Sequence, residues 1–278
     1  MNAEQMSRYP ELDEVLRDHA KRLQEALGDF LVGVYLVGSL AIGDFDLTSD
    51  IDFIVVTSDE LSESQLKQVQ SVHDQTYGQD NRWVKHLEYS FFPMDILNEL
   101  SSPFSRDGRT EDENRELWHF DHGSRKLERS DHDNSLVVRW TLREKGVVVI
   151  GPEPTALLNS VSPTALRTEI RNTLVGWGHE LLEDPGPYRN RFFQAFIVLH
   201  YCRMLQDLDE GRVTSKLEGA EWAKTKLDPK WIPLIEFCWN DRQDTEIHIS
   251  QPAVSGVFDE VLAFVKYAVA HGKDFIIS

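Results

Sequence analysis

Leu31-Val-Gly-Val-Tyr-Leu-Val37 runs into Gly38-Ser39-Leu-Ala-Ile-Gly43, and the chain then reaches Ser49-Asp50-Ile51-Asp52 at the head of an apolar run that continues to Val56. The first run is short, rich in β-branched residues and closed by Gly-Ser. That is the pattern of a buried strand whose exit turn exposes backbone N–H groups and a hydroxyl. Such a turn suits a triphosphate. In the second run, strand periodicity puts Asp50 and Asp52 on one face and turns Ile51 into the core. Two carboxylates aimed at one spot repel each other unless a cation lies between them, and hard oxygen donors facing phosphates select Mg²⁺. Either half alone also fits an ordinary turn or a pair of surface carboxylates. Together, with Gly43 between them, they predict a phosphate-binding turn beside a paired-carboxylate metal site.

Further along, His86-Leu-Glu-Tyr-Ser-Phe-Phe92 alternates as a strand does, and Glu88 is the acidic residue inside it. If that strand lies beside the one carrying Asp52, Glu88 is placed either to complete the metal site or to take a proton from an attacking hydroxyl. Upstream, Leu12, Val15, Leu16, His19, Leu23 and Leu27 recur at helical spacing, and Leu61, Leu66, Val69, Val72 and Tyr77 suggest a second helix. The order helix, strand, strand, helix, strand predicts a small mixed sheet with helices packed on it.

Ser101 to Asn134 is a long charged stretch with Pro103, Gly108 and Gly123. It is expected to carry a helix near Arg115 to Phe120 or to form a flap. His119, His122 and His132 lack a clean metal-ligand spacing and read as loop histidines. Gly151-Pro152-Glu153-Pro154 reads as a boundary between a catalytic domain, residues 1–155, and a helical domain, residues 156–278. Ser162 is placed to cap a helix with Pro163 at its first position, and apolar stripes follow over Leu166–Leu181, Phe192–Leu205, Leu217–Leu227, Trp231–Trp239 and Val254–Val265. The fold class expected is therefore α+β, with an all-α bundle as the second domain. Trp140, Trp177, Trp222, Trp231 and Trp239 fall in or beside that bundle and are expected mostly in its core.

At these residues the chain resembles the DNA polymerase β-type nucleotidyltransferase superfamily and, within it, the aminoglycoside adenylyltransferases that modify streptomycin and spectinomycin. Gly38-Ser39-Leu-Ala-Ile-Gly43, Ser49-Asp50-Ile51-Asp52 and Glu88 carry the likeness, supported by Trp140 to Pro152 and by Arg203 with Lys216 to Trp222. The resemblance implies that Asp50 and Asp52 hold magnesium, that Glu88 is the catalytic base and also a metal ligand, and that Gly38, Ser39, Ser49, Arg203 and Lys216 bind ATP, the co-substrate. It implies transfer of AMP to a hydroxyl of a small molecule, an aminoglycoside antibiotic foremost, and hence resistance. One position departs from the pattern. Antibiotic-modifying relatives carry an acidic residue about ten positions before the arginine matching Arg203, and Phe193 stands there. A cationic acceptor loses a charge-assisted contact at that point. Adenylylation of a lincosamide-like compound or of a protein, and a non-catalytic nucleotide-binding module, remain as alternatives.

Composition bounds the rest. The 278 residues fit two domains, with 41% apolar and 27% charged residues as in a folded globular protein. A net charge of −18, most of it in residues 1–155, opposes a nucleic acid partner, and an acidic cleft would attract a polycationic acceptor. No apolar run reaches membrane-span length, and Met1 to Phe30 reads as an acidic amphipathic stretch rather than a signal peptide, so a cytoplasmic monomer without a membrane partner is expected. Cys202 and Cys238 sit among apolar neighbours and read as reduced packing residues.

Overall fold

In the computed structural model of the chain, which describes residues 6–98 and 116–277, Pro10 occupies the first turn of α1 (Pro10–Leu27), where its missing N–H costs nothing. The stripe Leu12, Val15, Leu16, Leu23 and Leu27 is buried. There follow β1 (Leu31–Leu36), the single turn α2 (Gly38–Ile42), β2 (Ile51–Thr57), α3 (Glu63–Tyr77), β3 (Leu87–Pro93) and the short α4 (Met94–Leu97). Ser62 and Gln65 form a capping box that starts α3. Beyond residue 115 come β4 (Leu117–Phe120), β5 (Leu127–Ser130), α5 (Leu136–Lys145) and β6 (Val147–Ile150).

The strands form one mixed sheet in the order β5-β4-β3-β2-β1-β6. Strands β2 and β3 are parallel, and the other neighbouring pairs are antiparallel. Alternation gives the sheet two apolar faces. Ile51, Phe53, Val55, Leu87, Tyr89 and Phe91 join the α1 stripe and Val69 of α3 in one cluster, while Ile54, Val56 and Phe92 pack with Tyr35 and with Leu142 of α5 in another. Each of these buried side chains contributes roughly 1.5–3 kcal/mol of transfer free energy. Asp52 shares the face of Ile54 and Val56, at the end of the strand where apolar cover stops.

The expected helix near Arg115 to Phe120 is not there. Leu117-Trp-His-Phe120 is a strand, because the aromatic residues favour extended backbone and the open edge of β3 offers a ladder, pairing Tyr89 with Phe120, Ser90 with His119 and Phe91 with Trp118. The rest of that expectation, residues 101–115, lies outside the described residues.

Contacts divide the chain into a sheet unit that ends at Val161 and a helical unit from Ser162 onward, to which Asp46–Thr48 also belong. The helical unit contains α6 (Pro163–Glu183), α7 (Arg191–Glu210), α8 (Lys216–Lys226), α9 (Ile232–Arg242) and α10 (Val257–Asp274). Ser162 caps α6 by accepting from the Ala165 N–H. Helix α7 packs against each of the other four, and the fold is α+β. Val254, read as part of the last stripe, precedes α10. Of the five tryptophans expected mostly in the core only Trp231 is buried; Trp140, Trp177, Trp222 and Trp239 are half-buried. Cys202 and Cys238 are buried free thiols.

Candidate active site

The parallel pairing of β2 and β3 sets Asp52 directly beside Glu88. Neighbouring positions in register point to the same face, so the two carboxylates emerge side by side. One residue on, toward the opposite face, Phe53 and Tyr89 stack with ring centroids 4.2 Å apart, and a slip of one residue would turn that pair to the wrong side. The chain leaving β1 comes in against Asp52: the Val37 N–H donates to the Asp52 carbonyl at 2.9 Å. Gly38 follows with φ +55°, and a Cβ there would overlap the Asp52 carboxylate. Only glycine supplies both the left-handed backbone and the closeness. Gly38-Ser39, expected as a phosphate-binding exit turn, opens α2, whose first amides have no intrahelical partner and no side-chain cap.

These features fit a phosphate and its metal. Ser39 Oγ is buried without a hydrogen-bond partner, an orphan that costs free energy unless a ligand satisfies it. The missing Cβ of Gly38 lets the Asp52 carboxylate sit against the turn, and Asp52 and Glu88, side by side, offer oxygen donors of the kind magnesium prefers, while Asp50, two residues before Asp52, stands within ligand distance of His86 and His122. Ser49 is buried immediately before Asp50.

His119, His122 and His132, expected as loop histidines, lie around these carboxylates, with His119 on strand β4 rather than in a loop. His132 Nε2 lies 3.2 Å from Glu88 Oε1, and His119 Nε2 lies 4.0 Å from the same oxygen. The hydrogen bond to Glu88 holds the His132 imidazole protonated above its usual range, up to about 9. His119 Nδ1 is 2.9 Å from Ser90 Oγ, which donates to Asp133 Oδ2 at 2.7 Å. Burial pushes the Asp133 carboxyl up, but His119, His132 and Ser90 outweigh it and hold the group below its ordinary value. On the other side, His122 Nδ1 lies 3.4 Å from Asp50 Oδ1 and His122 Nε2 lies 3.2 Å from His86 Nδ1. Burial and the neighbouring His122 keep His86 below its usual range. Once Leu117 to Phe120 is a strand beside β3, His119 falls opposite Ser90 and next to Glu88.

The remaining predicted residues belong to the helical unit. Arg203 lies on α7 and Lys216 opens α8. The two helices come close because Gly219 packs on the Arg203 backbone, where a Cβ would stand 2.6 Å from Arg203 Cα. Lys216 Nζ lies 5.3 Å from the Phe196 ring centroid, and the Phe196 and His200 rings are 3.9 Å apart. Burial, then the charges of Lys216 and Arg203, hold His200 well below its ordinary value. Phe193 joins the same aromatic group, edge-on to Tyr188 at 5.2 Å and to Phe196 at 5.7 Å.

Residues 16–119, which contain Gly38, Asp50, Asp52 and Glu88, match the family model of the nucleotidyltransferase domain, and residues 156–271, which contain Arg203 and Lys216, match that of the aminoglycoside adenylyltransferase C-terminal domain. The chain is an aminoglycoside adenylyltransferase-like nucleotidyltransferase. Among curated relatives, this nucleotidyltransferase is 26% identical over 252 residues to a protein named spectinomycin 9-adenylyltransferase from Staphylococcus aureus, in strain Mu50 and again in strain N315, spanning 89% of this chain and 90% of the relative. Its fold matches a crystal structure of spectinomycin adenyltransferase AAD(9) from Enterococcus faecialis with ATP and spectinomycin. That match has a TM-score of 0.67 at 16% identity and covers 94% of this chain and 99% of the other. Among the described residues no helix is long and apolar enough to cross a membrane.

Proposed function

We propose that the enzyme moves AMP from ATP to a hydroxyl of an aminoglycoside-type antibiotic, spectinomycin or streptomycin foremost, and thereby gives resistance to it. The observation that carries this reading is the side-by-side placement of Asp52 and Glu88 with the Gly38-Ser39 turn against Asp52. The names of the relatives support the choice of nucleotide and acceptor. In this reading residues 1–155 are the nucleotidyltransferase domain and residues 156–278 the helical domain of a cytoplasmic monomer.

The residues divide the work by charge. The first amides of α2 and the hydroxyls of Ser39 and Ser49 bind phosphate oxygens, and Arg203 and Lys216 supply the cations that a polyphosphate requires. Glu88 accepts the proton of the acceptor hydroxyl as its oxygen attacks the α-phosphorus, and pyrophosphate departs in line with the attack. His132, hydrogen-bonded to one Glu88 oxygen, fixes the carboxylate's orientation. Magnesium, when bound, supplies neutralisation of charge on the phosphates, and Asp50, Asp52 and Glu88 are the residues that would hold it. Phe193 favours a second reading of the acceptor, a less cationic hydroxyl compound, because an aromatic ring there offers stacking in place of a carboxylate.

Pyrophosphate release from ATP and Mg²⁺, measured across spectinomycin, streptomycin, other aminoglycosides and a lincosamide, tests the reading. Release that needs one drug, and that Glu88→Gln abolishes, is the expected result. Silence across the panel with ATP still bound would move the acceptor outside these antibiotics.

A further inference from the structure

Asp50, His86 and His122 come from three separate stretches: the residue before β2, the residue before β3 and the turn after β4. Backbone contacts fix each of them. The Ile51 N–H donates to the His86 carbonyl at 2.8 Å, locking the residue after Asp50 onto His86. Across the turn, the His122 N–H donates to Asp121 Oδ1 at 2.9 Å, and Tyr77 Oη donates to the Gly123 carbonyl at 3.2 Å. One donor atom from each of Asp50, His86 and His122 lies within 4.8 Å of the other two.

We propose that these three residues form a second metal site, for a divalent transition metal of the zinc class. Two imidazoles and one carboxylate are a donor set that zinc, cobalt(II) and nickel(II) prefer and that magnesium, which demands oxygen ligands, does not. The spacing is suitable. Ligands bound at about 2.0–2.1 Å around a tetrahedral ion stand about 3.3–3.4 Å apart; Asp50 Oδ1 is 3.4 Å from His122 Nδ1 and His86 Nδ1 is 3.2 Å from His122 Nε2, so binding through one His122 nitrogen asks the remaining ligand to close in from no more than 4.8 Å. Three protein ligands leave the fourth position of a tetrahedral ion to water. His122 and Asp50 are accessible enough to admit an ion from solvent, with side chains 41% and 46% exposed.

The site has a consequence because Asp50 belongs to both donor sets. A zinc-class ion held by His86 and His122 withdraws Asp50 from the phosphate side, so trace transition metal inhibits the enzyme by competing with magnesium for Asp50 while being held by two imidazoles that magnesium does not use. The all-carboxylate site rests on the function proposed above; the histidine site rests on the donor geometry alone and is tested without turnover.

Cobalt(II) added to chelator-treated protein, without nucleotide or magnesium, reports the site through its visible d–d absorption, and zinc competition gives the affinity. We expect one equivalent to bind with four- or five-coordinate intensity, and binding to weaken at least roughly ten-fold in His86→Gln and in His122→Gln, a loss no smaller than that of an outer-shell partner. His122 lies on an exposed turn, so its variant keeps the fold while losing cobalt and zinc binding. No binding by the wild-type protein, or binding unchanged in both histidine variants, overturns the proposal. Loss in His119→Gln instead, with both other variants unaffected, would move the ion to Glu88, His119 and Asp121 and overturn it equally. Zinc binding that follows this pattern with no transfer to any antibiotic would leave the site standing and refute only the proposed function.

Discussion

In the sheet unit the groups with chemistry are anions set by strand register; in the helical unit they are cations set by how α8 lies on α7. Register is discrete, since a parallel pair one residue out of step would separate Asp52 from Glu88 and bury both carboxylates' neighbours on the wrong face. Helix packing is continuous and depends on local shape, here on a glycine at 219 that admits the Arg203 backbone. The sheet unit is therefore the part whose chemistry should fail abruptly on substitution, and the helical unit the part whose binding should weaken by degrees.

The largest effect expected is that of Asp52→Asn. Its charge is removed where the pair of acids meets, while Ile51 and Phe53 keep β2 in the core. Nucleotidyl transfer should fall by about 10³-fold or more, about 4 kcal/mol of lost transition-state stabilisation, with an unchanged melting temperature. A loss under ten-fold would break the contrast at its strongest point. Gly38→Ala comes next. The added methyl group overlaps the Asp52 carboxylate and the left-handed backbone costs roughly 1–2 kcal/mol, so kcat should drop on the order of 10²-fold, as for small misplacements near the reacting atoms. Steady-state kinetics with ATP varied would show whether kcat, rather than KM alone, carries that loss.

How much of this was legible in the chain follows the same division. Period-two alternation and the Gly-Ser and Asp-Ile-Asp spacings carry register, so Asp50, Asp52 and the strand of Glu88 could be read directly. The histidines could not be, because His86 reaches Asp50 through the pairing of β2 with β3, and His119 and His122 come in through the pairing of β4 with β3, a four-residue strand that follows a charged segment with no periodic signal. Arg203 and Lys216 look like ordinary helix-face charges in the sequence. Their proximity arises from a close helix contact at Gly219, and only family resemblance pointed to them.

A buried histidine in each unit sharpens the comparison through acid. His19 on α1 is 1% exposed, between Phe53 and Tyr89, with Nδ1 2.9 Å from Thr76 Oγ1 and Nε2 unpartnered. Burial, with a smaller effect from His73, lowers its pKa to about 3. The folded value is below the unfolded one of about 6.5, so the stability it contributes is complete above pH 6.5 and is lost as pH falls toward 3. Between pH 7 and 5 that loss amounts to about 2 kcal/mol. Urea titrations at the two pH values should show it in the wild-type protein and show less in His19→Leu, whatever the variant's stability at pH 7; equal losses would place the acid sensitivity elsewhere.

The smallest effect expected is in the helical unit, and it separates the two histidines by cause. His200 is held low first by burial and then by the charges of Lys216 and Arg203. His19, by contrast, owes its shift mainly to burial in an apolar core. Lys216→Met keeps most of the side chain's packing against Phe196 and removes the charge. The KM for ATP should rise about ten-fold, worth about 1.4 kcal/mol, with little change in kcat. In the same variant the His200 pKa, followed by NMR, should move up toward the ordinary histidine range while that of His19 stays where it is. If His200 does not move, burial and the remaining cations set its value and the Lys216 charge acts at a greater distance from it than the packing implies. If KM stays constant while His200 shifts, Lys216 serves the aromatic cluster and the nucleotide's charge is met by other groups.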